Sequence, residues 1–336
     1  MIKESILKLA KGEDISYEMA EKSMDEIMKG RATDVQMSAY LTALSMKGET
    51  IDEITASALS MRNHCIKLLH NMDVLEIVGT GGDSSNSFNI STISSLVISA
   101  SGLPVAKHGN RSASSKCGSA DVLEKLGVNI NLSPQKSSQL LEKINICFLF
   151  AQNYHISMKY VASIRKELGI PTIFNILGPL SNPAGANMEI MGVYDEELVV
   201  PLAKVLYNLG VKDALVVYGQ DKLDEISISA PTTVCEIKNN EFLEYVLKPE
   251  DFGFERAQKD AIVGGSIELN AEIALDILNG EKGPKRDAII LNSGAGLYIG
   301  EKASSLEKGM DIAEKVLDNG KAKKQLDDFI HLSNNI

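Results

Sequence analysis

Apolar positions recur with a helical period over the first 70 residues. Ile2, Ile6, Leu7 and Leu9 keep that spacing up to Gly12, and Ser16 is placed to cap a second run through Met19, Ala20, Met24, Ile27 and Met28. Thr33-x-x-Gln36 and Thr50-x-x-Glu53 each read as a capping box, in which a hydroxyl and the side chain three residues on satisfy each other's backbone N–H groups. They open helices toward Leu44 and Leu69, and Gly30 and Gly48 fall where glycine ends a helix. Near Asn71 the pattern changes. Short apolar runs at Val74–Val78, Val105–Lys107, Ile146–Ala151, Met188–Tyr194 and Ala214–Gly219 are each followed by a Gly- or Asn-rich loop and a helical stretch. That alternation predicts βα units and a mostly parallel sheet. Val234–Ile237, Asn239-Asn240 and Phe242–Val246 predict a hairpin, and Ala288 to Leu332 reads as helices. The expected fold is α/β, with a small N-terminal all-helical domain (1–70) and a larger α/β domain (71–336) around a mostly parallel central sheet.

Composition narrows the partners. The 336 residues hold 34 Lys+Arg against 45 Asp+Glu, a formal charge of -11, which excludes a general nucleic-acid or membrane-surface binder. Cys65, Cys117, Cys147 and Cys235 form no C-x-x-C pair, so reduced thiols in a cytoplasmic protein are expected. Lys3, Glu4, Glu13 and Asp14 interrupt the N-terminal apolar residues, unlike a signal peptide, and Ile90 to Ala106 is too rich in serine to span a bilayer.

The candidate chemistry follows the strands. Gly79-Thr80-Gly81-Gly82-Asp83 lets backbone N–H groups approach an anion, and Ser91 and Thr92 fall at the helix N-terminus beyond it. It is neither a Walker loop nor G-x-G-x-x-G. Lys107-His108-Gly109-Asn110-Arg111, with Ser112, Ser114, Ser115, Lys116 and Ser119, supplies cations and hydroxyls. From Ser84 to Ala120 the chain has no Asp or Glu, which marks a local anion site in an acidic protein. In a third loop, Asp224 and Glu225 would repel a polyphosphate unless a cation such as Mg²⁺ lay between them. In a fourth segment, His155, Met158, Ala162 and Arg165 would share an arc of about 80° on a continuous helix. Arg165 there could face a carboxylate or simply snorkel.

Taken together, GTGGD…FNIST (79–92), VAKHGNR-SASSKCGSADVLEKLG (105–127), FNILGPLSNPA (174–184), LDEIS (223–227) and GEKGPKRDAIILN (280–292) resemble the anthranilate phosphoribosyltransferase family over nearly the whole chain. The resemblance implies transfer of phosphoribose from 5-phosphoribosyl-1-diphosphate to the amine of anthranilate in tryptophan biosynthesis, with Mg²⁺. It also implies a homodimer through the helical domain, which mid-chain helices around 155–185 would join. It places Gly79, Gly82, Asp83, Ser87, Asn89, Ile90, Ser91, Thr92, Lys107, His108, Gly109, Asn110, Arg111, Ser112, Ala113, Ser114, Ser115 and Ser119 on the phosphoribosyl diphosphate. Ser91, Asp224 and Glu225 would hold the metal; Gly79, Asn110 and Arg165 would contact anthranilate; Lys107 and Asn110 would be catalytic. The chain departs from the family at Ala151–Met158, where two common prolines are missing, at Tyr218, where His is frequent, and at Lys222, where Gly is frequent. Two rival readings are a pyrimidine nucleoside phosphorylase, whose Lys-x-Ser phosphate signature is absent, and a nucleic-acid-binding relative, which would want a basic face and no metal carboxylates.

Overall fold

The computed structural model describes residues 1–83, 85–112 and 116–336. Four helices open the chain: α1 (Ile2–Leu9), α2 (Tyr17–Met28), α3 (Asp34–Lys47) and α4 (Ile51–Asn63). Ser16 accepts from the Met19 amide at the start of α2. Both capping boxes are formed: Thr33 with Gln36, and Thr50 with Glu53. Glu53 does more than cap. Its Oε1 accepts from the Ile15 amide at 3.0 Å and its Oε2 pairs with Lys47 at 2.9 Å, so one buried carboxylate joins three segments. Met24, Met28, Met37 and Met61 fill the bundle interior, whereas Met46 is exposed. Val161, Ile164, Phe174, Leu177 and Leu180 from mid-chain pack into the same apolar cluster.

The rest of the chain surrounds one seven-stranded sheet. Its strands are β1 (Leu75–Gly79), β2 (Val105–Gly109), β3 (Ile146–Phe150), β4 (Met188–Gly192), β5 (Asp213–Gly219), β6 (Thr232–Lys238) and β7 (Glu241–Leu247), in the order β3-β2-β1-β4-β5-β6-β7. The first five are mutually parallel, and β6 and β7 complete an antiparallel edge. Asn239 (φ 53) and Asn240 (φ 62) both adopt the left-handed backbone that a two-residue hairpin turn requires. The β1–β4 and β2–β3 ladders each run through five residue pairs, but β1 pairs with β2 only at Leu75↔Val105. Toward the carboxyl edge these two neighbours part.

Helices alternate with the strands: α5 (Ile90–Ala100) after β1, α6 (Ser119–Lys125) and α7 (Pro134–Ile144) after β2, α8 (Ala151–Tyr154), α9 (Ala162–Leu168) and α10 (Phe174–Leu177) after β3, and α11 (Val199–Asn208) after β4. Four more, α12 (Ile267–Leu278), α13 (Pro284–Ile299), α14 (Leu306–Asp318) and α15 (Lys321–Asn335), close the chain. One face of the sheet packs on α5 and α13, with α14 against those two helices, and the other packs on α11, which α4 of the bundle joins. Among the described residues no helix is long and apolar enough to cross a membrane.

Two expectations are corrected. Strand β2 does not stop at Lys107, the end of its apolar run, but continues through His108 and Gly109, expected in the loop beyond it, because their register with Leu149 and Phe150 extends the ladder. The single helix expected to carry His155, Met158, Ala162 and Arg165 is broken. It divides at His155 (φ -104, ψ 61) and again at Val161, with a tight 3₁₀ turn over Ile156–Tyr160 between. His155, where the backbone leaves the helix, has its ring 4.9 Å from that of His108 between centroids. Ala162 is exposed, so the stripe does not form one face.

Candidate active site

The carboxyl ends of β1 and β4 carry two glycines in register, Gly79 and Gly192, and the segment around Asp224 lies across both. A Cβ on Gly79 would sit 2.2 Å from Asp224 Oδ2, and one on Gly192 would sit 1.6 Å from the Asp224 carbonyl oxygen. Neither glycine has a positive φ; what both positions require is close approach. Beyond β1, Gly81 (φ 70) and Gly82 (φ 80) turn the chain back. The Gly81 amide donates to Asp224 Oδ2 at 2.7 Å, and the Asp224 amide donates to Asp83 Oδ2 at 3.4 Å. Glu225 Oε1 accepts from the Ser91 amide at 3.1 Å, at the N-terminus of α5. From behind, Asn292 of α13 holds both backbone groups of Ile226, accepting at 3.0 Å and donating at 2.9 Å.

The first and third loops thus converge, bringing Asp83, Ser91, Asp224 and Glu225 together. Burial, with Asp83 and Glu225 nearby, raises the Asp224 carboxyl well above the usual range. Burial pushes Glu225 up to about 7 against the pull of Lys107 and Ser91. Two acids forced toward neutrality in an all-oxygen setting suit a hard divalent cation. Among the described residues no group of three or more His, Cys, Asp or Glu is arranged to hold a metal.

Lys107 is buried beneath this pair. Its ammonium donates to the Ile77 carbonyl at 2.7 Å and to Ser91 Oγ at 3.2 Å, leaving one donor of three. Burial lowers its pKa, opposed by Glu76, Glu225 and Asp224. Glu76 is fully buried on β1; both of its oxygens accept from the His108 amide at 3.1 Å, and Asn182 also donates to it. Sequence reasoning passed over Glu76, Asn182, Gly192 and Asn292. A glutamate inside the apolar run Leu75–Gly79 was the available signal.

The second loop is shaped by Asp121. Its Oδ2 accepts from the Ser112 and Gly118 amides, both at 3.0 Å. Asn110 is exposed, and its Oδ1 accepts from the Arg111 amide at 2.8 Å. A Cβ on Gly109 would meet Ser119 Oγ at 2.2 Å, which brings Ser119 onto the end of β2. Arg111 is already engaged: its guanidinium pairs with Asp121 and Glu124 at 2.9 and 2.8 Å and lies over the Phe150 ring. Ala113, Ser114 and Ser115 fall outside the described residues. In the first loop Ser87 bridges to Val263, and Asn89 donates to the Cys117 carbonyl at 3.1 Å. Ile90 and Thr92 are buried, so their side chains face the core.

His108 and His155 form a buried pair of rings tilted by 49°, whose Nε2 atoms both lack hydrogen-bond partners. Burial holds His108 well below the usual imidazole range and His155 at about 4, so both are neutral at pH 7. Arg165 is half-buried over the Phe174 ring at 5.3 Å and makes no ion pair among the described residues.

Residues 3–65 match the glycosyl transferase family helical bundle domain, and residues 71–323 match its α/β domain. The chain is 64% identical over 334 residues, 99% of its own length and all of the relative's, to the anthranilate phosphoribosyltransferase of Methanobrevibacter smithii. It is similar to the crystal structure of the Thermus thermophilus anthranilate phosphoribosyltransferase, with a TM-score of 0.93 and 41% identity over 98% of this chain and 99% of that one. The Saccharomyces cerevisiae anthranilate phosphoribosyltransferase is similar both in complex with PRPP and Mg (TM-score 0.91, 28% identity) and in complex with 4-fluoroanthranilate (TM-score 0.91, 27% identity); each match spans 100% of this chain and 98% of the other.

Proposed function

The chain belongs to the anthranilate phosphoribosyltransferases, within the glycosyl transferase family, and we propose that the residues around Lys107, Asp224 and Glu225 carry out that family's reaction here. The enzyme transfers phosphoribose from 5-phosphoribosyl-1-diphosphate to the amine of anthranilate, releasing diphosphate, in tryptophan biosynthesis. The observation that carries this reading is the convergence of three carboxylates and a buried lysine on two glycines at the carboxyl edge of the sheet. Asp224, Glu225 and Ser91 would hold Mg²⁺, which supplies charge neutralisation of the diphosphate when bound.

The chain's own residues do the rest. Gly79, Gly82, Asp83, Ser87, Asn89 and the backbone of Ile90–Thr92 would cradle the donor, together with Lys107 to Ser115 and Ser119. Lys107, with one donor unspent, stabilises charge on the leaving group. The aromatic amine of anthranilate is uncharged at neutral pH and needs orientation more than deprotonation. Asn110 and Gly79 would orient it, and the neutral His108 offers an unpaired buried ring nitrogen and no charge. As the anthranilate nitrogen bonds to the ribose C1, the C1–O bond to diphosphate breaks, Lys107 faces the charge gathering on the departing oxygens, and the extra proton on the new secondary amine passes to the released diphosphate or to water. The direct test is to mix protein, Mg²⁺, phosphoribosyl diphosphate and anthranilate and follow anthranilate fluorescence. The signal should disappear, and should persist if Mg²⁺ is left out; a signal that persists in the complete mixture overturns the assignment.

Arg165 is the cation proposed for the anthranilate carboxylate. It is half-buried and unpaired among the described residues, where an uncompensated charge is costly. Replacing it in Arg165→Ala removes a charge-assisted hydrogen bond of about 1.5–3 kcal/mol, so KM for anthranilate should rise about one to two decades while that for phosphoribosyl diphosphate changes little. If a well-folded variant keeps its KM for anthranilate, Arg165 is not in the site.

The proposed assembly is a cytoplasmic homodimer through the helical domain. Leu7, Val35 and Met46 are 67, 79 and 83% exposed on α1 and α3 and would supply apolar surface to such an interface. A monomer by sedimentation at micromolar concentration would overturn this assembly.

A further inference from the structure

We propose that Glu76 is a positioning residue that, together with Lys107, holds β1 and β2 apart and so shapes the phosphoribosyl diphosphate site. The inference rests on the proposed placement of Lys107 beside the donor. It starts from the ladder. Parallel neighbours normally exchange evenly spaced backbone bonds along their whole length. Here the β1–β2 register is confined to Leu75↔Val105, while β1–β4 and β2–β3 are fully paired.

The missing partners are side chains. The His108 amide on β2 donates to Glu76, and the Ile77 carbonyl on β1 accepts from Lys107 Nζ at 2.7 Å. The Ala106 carbonyl on β2 accepts from Asn182 Nδ2 at 2.8 Å, and the same amide donates to Glu76. A carboxyl group, a lysine amine and one amide therefore occupy the seam that backbone bonds would close. Each of these three backbone groups finds a side-chain partner, as burial requires. Lys107 reaches across it to Ser91, whose amide meets Glu225.

The charges around Glu76 are of both signs. Lys107 faces it from β2, and Glu189, its register partner on β4, faces it from the other side. Arg62 of α4 lies beyond Glu189 and is tied to the Leu180 and Leu209 carbonyls at 2.6 and 3.1 Å. Burial pushes Glu189 up to about 8, so it is largely protonated at neutral pH. Burial also raises Glu76 well above the usual carboxylate range, opposed by Lys107, Asn182 and the His108 amide, which are the groups that favour its anion. A buried ion pair can often be exchanged as a whole for apolar residues of similar volume at little cost, so stability alone does not account for this one. Glu76 sets the position of the lysine and of the strand that leads into Gly109 and Asn110.

The test compares Glu76→Gln, Lys107→Met and the double variant, by calorimetric titration with phosphoribosyl diphosphate and Mg²⁺, steady-state kinetics and melting curves. Glu76→Gln keeps the shape and removes the charge. It should weaken donor binding about tenfold or more while KM for anthranilate stays within about threefold. Lys107→Met leaves Glu76 buried without its cation and should melt lower than the wild type; adding Glu76→Gln should raise the melting temperature again. If Glu76→Gln does not fold, recovery of a folded protein in the double variant still shows that the two act as a pair. Wild-type donor affinity in a folded Glu76→Gln variant, or no recovery in the double variant, overturns the inference. Wild-type donor affinity in Lys107→Met would instead remove Lys107 from the donor site, a separate failure.

Discussion

Gly192→Ala should leave a folded but nearly inactive enzyme. The added Cβ would stand 1.6 Å from the Asp224 carbonyl oxygen, 2.2 Å from its carbon and 3.0 Å from the Glu225 nitrogen. All three are backbone atoms, so no side-chain rotation relieves the overlap. The segment itself is held on the far side, because Asn292 grips Ile226 and the Gly219 amide donates to the Leu223 carbonyl at 2.8 Å. Asp224 and Glu225 must therefore lift off β4, losing the Gly81 and Ser91 amides that orient their carboxylates. Overpacking of this kind costs about 1–3 kcal/mol of stability. A displacement of about 1 Å at a positioned group costs about two decades in rate. Kinetics over a range of Mg²⁺ should show kcat/KM down by about a hundredfold and a raised Mg²⁺ requirement. A variant with the wild-type Mg²⁺ response would show that the metal carboxylates do not depend on this seat.

Much of this arrangement was legible in the sequence, and its limits have physical causes. Capping boxes and the Asn239-Asn240 turn are local, since their partners lie within three residues, and they appear in the structure as expected. The parallel strands announced themselves as short apolar runs. The partners of the candidate site residues are long-range. Glu76 meets Asn182 across 106 positions, and Gly81 meets Asp224 across 143. Gly192 ends an apolar run much as any strand glycine does; only the path of a segment thirty residues later reveals what its missing side chain is for. Arg111 read as a free cation because the preceding stretch holds no acid, yet Asp121 and Glu124 follow on the next helix and take it. The stripe from His155 to Arg165 failed for a related reason. A helical period describes a continuous helix, and this segment breaks at His155 and again at Val161.

Asp224→Asn with Glu225→Gln should separate the cost of the metal site to the fold from its value to the reaction. Turnover should fall by about two decades or more, since metal-borne charge stabilisation is worth several kcal/mol and about 1.4 kcal/mol is a decade. Stability should move the other way. Asp224 is raised well above its ordinary value, and Glu225 is pushed from 4.5 up to about 7, so each holds its proton more tightly folded than unfolded. Such a group stabilises the fold fully below its unfolded value, and that contribution is lost as pH rises through the folded one. Without metal, the wild type should therefore lose melting temperature between about pH 4.5 and pH 7 and beyond. Glu189, pushed up to about 8, adds to that slope in both proteins, so the difference between them isolates the pair. The double variant should show a shallower slope and melt higher than the metal-free wild type at pH 8, because two buried acids no longer need to ionise side by side. Adding Mg²⁺ with phosphoribosyl diphosphate should raise the wild-type melting temperature and leave the variant unmoved. A variant with wild-type turnover at low Mg²⁺ would show that the metal is held elsewhere. An unchanged pH slope would show that the two carboxyls are not strained against each other as their burial requires.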